Sequence, residues 1–169
     1  MIFIDVTDEV CHKQIEKRRV AQPERAARVY GVKKQIMATP VTQGAHHIGL
    51  TVSRLEESAD FFTSLLGWKE VKRKTDYPAI FVSDGSVMVT LWAAKDQPSV
   101  GFDKNINVGL HHVAFRVENE YALNSLHERL ANSGLKIEFA PELLGQGPAK
   151  HMMCYEPSGI RIEFIWPGD

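Results

Sequence analysis

Only two cysteines, Cys11 and Cys154, occur in 169 residues. So few exclude a disulfide-stapled secreted scaffold, and the two form no CxxC-type metal pair. Charge of one sign is scarce as well. Twenty Lys and Arg against 21 Asp and Glu leave a formal net charge of −1, which gives no general pull toward nucleic acid or an anionic membrane surface. The apolar opening "MIFIDV" stops at Asp5, too short for a signal or membrane segment. These shortages predict a reduced, cytoplasmic protein. With 44% hydrophobic and 24% charged residues, the composition is that of a globular chain with one core.

What the chain has instead is repetition. "GAHHIGLTV" (residues 44–52) and "GLHHVAFRV" (109–117) both set Gly-x-His-His before a short alternating apolar run. After the first comes "SRLEESADFFTSLLG", a helix with Leu55, Ala59, Phe62 and Leu66 as its stripe, a Ser53–Glu56 capping box and Gly67 as its stop. Three strand candidates follow: "WKEVKRK", "AIFVSDG" and "VMVTLWA". After the second comes "NEYALNSLHERLANSG", with Leu123, Leu126 and Leu130 as its stripe, and then "LKIEFA", "HMMCYE" and "IRIEFIW". Gly85 to Trp92 and Gly159 to Trp166 repeat one spacing.

The predicted fold class is α+β. Two βαβββ modules, 45–93 and 109–167, form one curved mixed sheet, a cup with the helices on its outer face, because one such module leaves half its sheet bare. Residues 94–108 join the modules within a domain spanning 45–169. Residues 1–44 stand outside the repeat as an amino-terminal extension of uncertain structure, with "PERAARVY" as a short helix candidate started by Pro23.

Strand alternation gives the histidines a side. If the apolar positions of each first strand pack on the helices, His47 and His112 face the cup, and His46 and His111 face away into solvent. In the last strand Ile160, Ile162, Phe164 and Trp166 pack inward, leaving Arg161 and Glu163 toward the cup. A carboxylate among apolar neighbours is costly unless paired or bound to a cation. Pairing of Glu163 with Arg161 or Arg116 would account for it without a metal. Two imidazoles and a carboxylate converging on one cavity instead make a divalent-metal site with open positions. Arg116 shares the face of His112 and suits a substrate carboxylate. His151 and Tyr155 share one strand parity and are candidates for acid–base work.

Modules opened by "HH-apolar-small-apolar", with "EPSGIRIEF" closing the second, resemble the vicinal oxygen chelate superfamily, over residues 45–167. That superfamily includes glyoxalase I, extradiol ring-cleaving dioxygenases, and fosfomycin- and bleomycin-resistance proteins. The resemblance implies metal ligands at His47, His112 and Glu163. The family's fourth position falls on Val89 or, one residue on, Thr90, where glyoxalase-like members carry glutamate or glutamine. Thr90 and Arg116 are then candidate substrate contacts, and Glu163, His151 and Tyr155 candidate catalytic groups. The extradiol pattern departs here, since Met153 holds its tyrosine position. The resemblance therefore implies a divalent ion (Fe, Mn, Ni or Zn) and glyoxalase-like lyase or isomerase chemistry on a small molecule with adjacent oxygens. An extradiol-type dioxygenase and a metal-free binding or resistance protein are the alternatives. A homodimer is the implied assembly.

Overall fold

Both Gly-x-His-His runs open strands in the computed structural model, which describes residues 40–96 and 98–168. Cys11 and the helix candidate near Pro23 lie outside the described residues. Ala45–Asp169 make one compact unit. Its elements are β1 (His47–Val52), α1 (Leu55–Asp60), β2 (Lys69–Lys74), β3 (Ala79–Ser83) and β4 (Met88–Ala93). The second module repeats them as β5 (Val113–Arg116), α2 (Glu120–Asn132), β6 (Ile137–Leu143), β7 (Lys150–Tyr155) and β8 (Arg161–Trp166). No described helix is long and apolar enough to cross a membrane.

The two sheets run β1-β4-β3-β2 and β5-β8-β7-β6, with β1 parallel to β4 and β5 parallel to β8. Strand pairing ends at each module's edge, so the expected curved sheet consists of two four-stranded halves. One continuous apolar core joins them. Leu50, Val52, Ile80, Val89 and Leu91 belong to the same cluster as Val113, Phe115, Leu123, Met152, Cys154, Ile162 and Phe164. Burial pushes the Cys154 thiol up to about 12, so it is an inert packing group.

The first helix departs from its expected form. Ser53 makes no cap; Arg54 is the N-cap residue and no side chain bonds there. Glu56, the other half of the expected capping box, binds Arg73 Nη1 at 2.5 Å instead. Beyond Asp60 the backbone widens into a π-helical turn over Phe61–Leu65. Adjacent Phe61 and Phe62 are 1% and 0% exposed. A regular helix would point neighbours about 100° apart, and the wider turn brings both rings into the core. The second helix follows expectation, with Leu123 and Leu130 fully buried and Asn119 accepting from the Ala122 N–H at 2.8 Å.

A polar chain ties α1 to the "EPSG" turn of the other module. The Arg54 N–H donates to Ser158 Oγ at 3.1 Å, Ser158 and Ser58 hydroxyls meet at 2.9 Å, and Ser58 donates to Glu156 Oε2 at 2.6 Å. Because the Ser58 proton goes to the carboxylate, Ser158 must donate to Ser58. The Ile160 N–H serves the other Glu156 oxygen at 2.9 Å. Glu156 is only 2% exposed, so losing a donor leaves a buried acceptor under-solvated. Ser58→Ala should cost about 1–3 kcal/mol, read as a lower urea midpoint at unchanged m. A cost below about 0.5 kcal/mol, the level of a neutral surface change, would remove this bond from the joint.

Candidate metal and acid–base site

The face of the second sheet turned away from the helices carries the chemistry. In β8, Ile162 and Phe164 enter the core while Arg161 and Glu163 point the other way, as alternation predicts. Glu163 pairs in register with Ala114 on β5 and Met153 on β7. Its side chain is thereby flanked by His112, which directly precedes β5, and by His151, two residues before Met153.

Glu163 divides its oxygens between two imidazoles. Oε2 lies 3.1 Å from His112 Nε2 and Oε1 lies 2.6 Å from His151 Nδ1. All three are largely enclosed, with side chains 8% (Glu163), 20% (His112) and 15% (His151) exposed. A carboxylate only accepts, so the His151 Nδ1–H is the donor and its Nε2 is left free for proton transfer. That nitrogen faces Glu142 Oε1 at 4.0 Å, and the ring lies against Phe139, centroids 5.0 Å apart.

His112 is set by its neighbour. Its Nδ1 stands 2.7 Å from His111 Nδ1, and Arg161 Nη1 stands 3.3 Å from that same His111 atom. A guanidinium only donates, so His111 Nδ1 accepts. Burial, and then the Arg161 charge, hold the His111 imidazole below its ordinary pKa and hence neutral. Its proton therefore sits on Nε2, and His112 must donate its own Nδ1–H to His111. What His112 turns to Glu163 is either a bare lone pair or the second proton of an imidazolium. Either way, the space between Nε2 and Oε2 requires positive charge. Their 3.1 Å separation also suits neighbouring donors on one ion with bonds of about 2.0–2.2 Å. His112 and Glu163 thus fit a divalent metal, with His151 as the hydrogen-bonded partner that orients the carboxylate.

The single chain does not complete the ligand set. Among the described residues no group of three His, Cys, Asp or Glu side chains stands where one ion could touch all. His47 is exposed, and its Nδ1 meets His46 Nδ1 at 3.0 Å. Register does resolve the fourth family position. Gly49 pairs with Thr90 as Ala114 pairs with Glu163, so Thr90 is the counterpart of Glu163, while Val89 is core. Thr90 is 2% exposed, and its hydroxyl accepts from the Trp92 indole N–H at 3.0 Å. It positions Trp92 and does not present itself to a ligand.

Two other expected residues sit elsewhere. Arg116 is exposed and lines a crevice of about 490 Å³ with Ile48, Asp84 and Ser86. The Tyr155 hydroxyl donates to Glu138 Oε2 at 2.5 Å, and that bond raises its pKa, so Tyr155 is a held donor. His111 is exposed, as expected, and also meets Arg161, bordering a cavity of about 720 Å³ with Gly49, Thr51, Tyr155 and Arg161.

Sequence reading missed Glu138, which clamps Arg161 through two bonds of 2.8 Å. Register shifts in β6 break the period-2 pattern around Phe139, so alternation has no means of assigning Glu138 a face. The Arg161 guanidinium holds the Glu138 carboxyl down to about 2 from an ordinary 4.5, against its burial and with help from Tyr155 and Lys104. The folded-state value lies below the unfolded one, so this stabilisation is complete above pH 4.5 and is lost as pH falls toward 2. Glu138→Gln should therefore flatten the decline of stability across that window, measured by acid unfolding in parallel with the wild type. An unchanged slope would remove this pair from the acid response.

Paired βαβββ modules packed on one core are the fold of the vicinal oxygen chelate superfamily. The family described as Glyoxalase/Bleomycin resistance protein/Dioxygenase superfamily matches residues 44–164, and the chain belongs to it. It is similar to the uncharacterized protein YqjT of Bacillus subtilis (strain 168), 28% identical over 127 residues, which are 72% of this chain and 98% of that protein. It is 29% identical over 117 residues to metapyrocatechase of Pseudomonas sp. (strain CF600), covering 69% of this chain but 36% of that enzyme. Among solved structures, the glyoxylase/bleomycin resistance protein/dioxygenase domain from Frankia sp. EAN1pec superposes with a TM-score of 0.66 at 26% identity, over 75% of this chain and 98% of that one. The superfamily includes enzymes.

Proposed function

We propose that this protein is a divalent-metal-dependent enzyme acting on a small molecule with two adjacent oxygens, by glyoxalase-like lyase or isomerase chemistry. The observation that supports the reading is the pair His112 Nε2–Glu163 Oε2 at 3.1 Å, whose facing atoms call for positive charge that a divalent ion or an imidazolium proton can supply. Bound there, the ion would supply Lewis acidity toward the substrate oxygens. The rest falls to the chain's own groups. Glu163 holds with Oε2 and, through Oε1, fixes the ring of His151. His151 Nε2 is the base that takes the substrate proton and returns it.

His47 is the third ligand in this reading, contributed by a second copy of the chain in a homodimer. Metal analysis of protein purified without chelator should give near one ion per chain, lost in His112→Ala. Mixed dimers of His47→Ala and Glu163→Gln chains should regain one site per dimer, because one of the two sites is then intact. No metal in the wild type, or no regain on mixing, would overturn the respective part.

A second reading is favoured by the likeness to metapyrocatechase, namely ring cleavage with molecular oxygen. Oxygen uptake with a catechol panel separates the two. Turnover of a hemithioacetal without uptake supports the first.

A further inference from the structure

The open face of the first sheet is built unlike that of the second. Reading across β1, β4, β3 and β2 in register, one row is Gly49, Thr90, Phe81 and Lys72, and the next is Thr51, Trp92, Ala79 and Lys74. Small residues form the floor near β1, and rings stand over β3 and β4. Trp92 lies between Phe81 and Tyr77, with centroids 5.8 and 5.2 Å away. Its indole is fixed by the buried Thr90 hydroxyl at 3.0 Å, so little side-chain freedom remains to be lost on binding.

Three ammonium groups crown these rings. Lys72 Nζ lies 5.8 Å from the Phe81 centroid, Lys74 Nζ 5.5 Å from Trp92 and Lys95 Nζ 4.8 Å from Tyr77. Among the described residues none of the three has a carboxylate partner. Arg73, between the first two in β2, points the other way and takes both nearby acids, Glu56 and Glu70. Arg73 thus holds Glu70 of the strand and Glu56 of the helix on one face, and the lysines over the aromatic rings on the other have no carboxylate among the described residues. Such a face offers a stacking surface together with surplus positive charge at its rim.

We propose that this platform recognises an aromatic anion, a planar ring carrying a carboxylate, as the ring-bearing part of the substrate. The ring stacks on Trp92 and Phe81 while Lys74 and Lys72 meet the carboxylate. His47 shares this face one row away, across two strand spacings from Phe81. By strand geometry that is about 12 Å between backbones, a span that a substituted arene and its side chain cover. The inference rests on the proposed function for its link to chemistry, since His47 is the ligand this face would bring.

Recognition can be measured without a metal. Full-length protein treated with chelator is titrated with 2-naphthoate by calorimetry, with 2-naphthalenemethanol and cyclohexanecarboxylate as probes lacking the charge or the aromatic ring. The expected result is tightest binding of 2-naphthoate, with each control weaker by about tenfold, roughly one cation–π or charged contact. Lys72→Met with Lys74→Met should remove the preference for 2-naphthoate over 2-naphthalenemethanol while circular dichroism stays unchanged, and Phe81→Leu should weaken both aromatic probes alike. His112→Ala should bind 2-naphthoate like the wild type. Equal affinity for all three probes, indifference to the lysine changes, or loss in His112→Ala would overturn the platform. Intact naphthoate binding beside a failed metal titration would keep the platform and sink the metal reading, and the reverse outcome would do the opposite.

Discussion

Glu163→Gln protein should fold as well as the wild type and yet lose its metal affinity by at least about a hundredfold, above the 10- to 100-fold typical of outer-shell losses. The amide keeps the size of the acid and changes only what it offers. Its oxygen accepts from the His151 Nδ1–H in place of Oε1, and its NH₂ donates to His112 Nε2 in place of Oε2. Both contacts are satisfied with neutral groups, so the demand for positive charge between the two residues disappears. Thermal unfolding in chelator should consequently give a midpoint equal to or above that of the wild type, while metal titration shows the loss. Turnover, once a substrate is in hand, should fall at least as far, a deficit of about 2.7 kcal/mol or more in barrier terms. His151→Ala separates the roles. It should weaken metal binding by only about 10- to 100-fold and, at saturating metal, lose about 10²- to 10⁴-fold in rate, the usual range for a general base. Stoichiometric tight metal in Glu163→Gln would show that the ion, if any, sits elsewhere.

Phe115→Ala should be the most destabilising single change in the core, at about 3–5 kcal/mol. The ring belongs to the second module, yet two of its three aromatic partners come from the first. Trp68 lies 5.0 Å away and Phe62 6.2 Å, with Phe164 of its own module at 6.2 Å. The sheets share no strand pairing across their junction, so apolar packing here, the Ser58–Glu156 chain and the bond from Arg129 Nη1 to the Leu65 carbonyl at 2.9 Å carry the connection. A cavity at this point cannot be closed by a small shift, because the rings around it are held by two separate sheets. Chemical denaturation should show a lower midpoint, and Val71→Ala, at a 56% exposed site on β2, should change stability by no more than about 0.5 kcal/mol. A loss for Phe115→Ala below about 1 kcal/mol would mean that the modules do not depend on this contact.

The particular errors show where pattern reading stops. Alternation expected His47, His112 and Glu163 on one face; His112 and Glu163 meet at 3.1 Å, while His151, given only a shared parity with Tyr155, joins them through Glu163 Oε1. Alternation had no means of placing Glu138 in β6, where the register shifts. The helical stripe named Phe62 correctly but not the π turn that buries Phe61 beside it. The Ser53–Glu56 pair satisfied a capping rule by spacing, yet Arg73 on β2 outcompeted the helix end for Glu56.

Sequence alone determined the duplicated βαβββ plan, the helix-facing core positions and the side of the sheet on which the acid and imidazoles stand, since each follows from local periodicity. Only the tertiary structure decided which of those groups meet. His151 pairs with Glu163, Tyr155 with Glu138, and Thr90 with Trp92, whereas His47 joins neither His112 nor Glu163 within one chain. Contacts between strands depend on register and on the packing of one module against the other. Neither quantity is written in the spacing of any single segment.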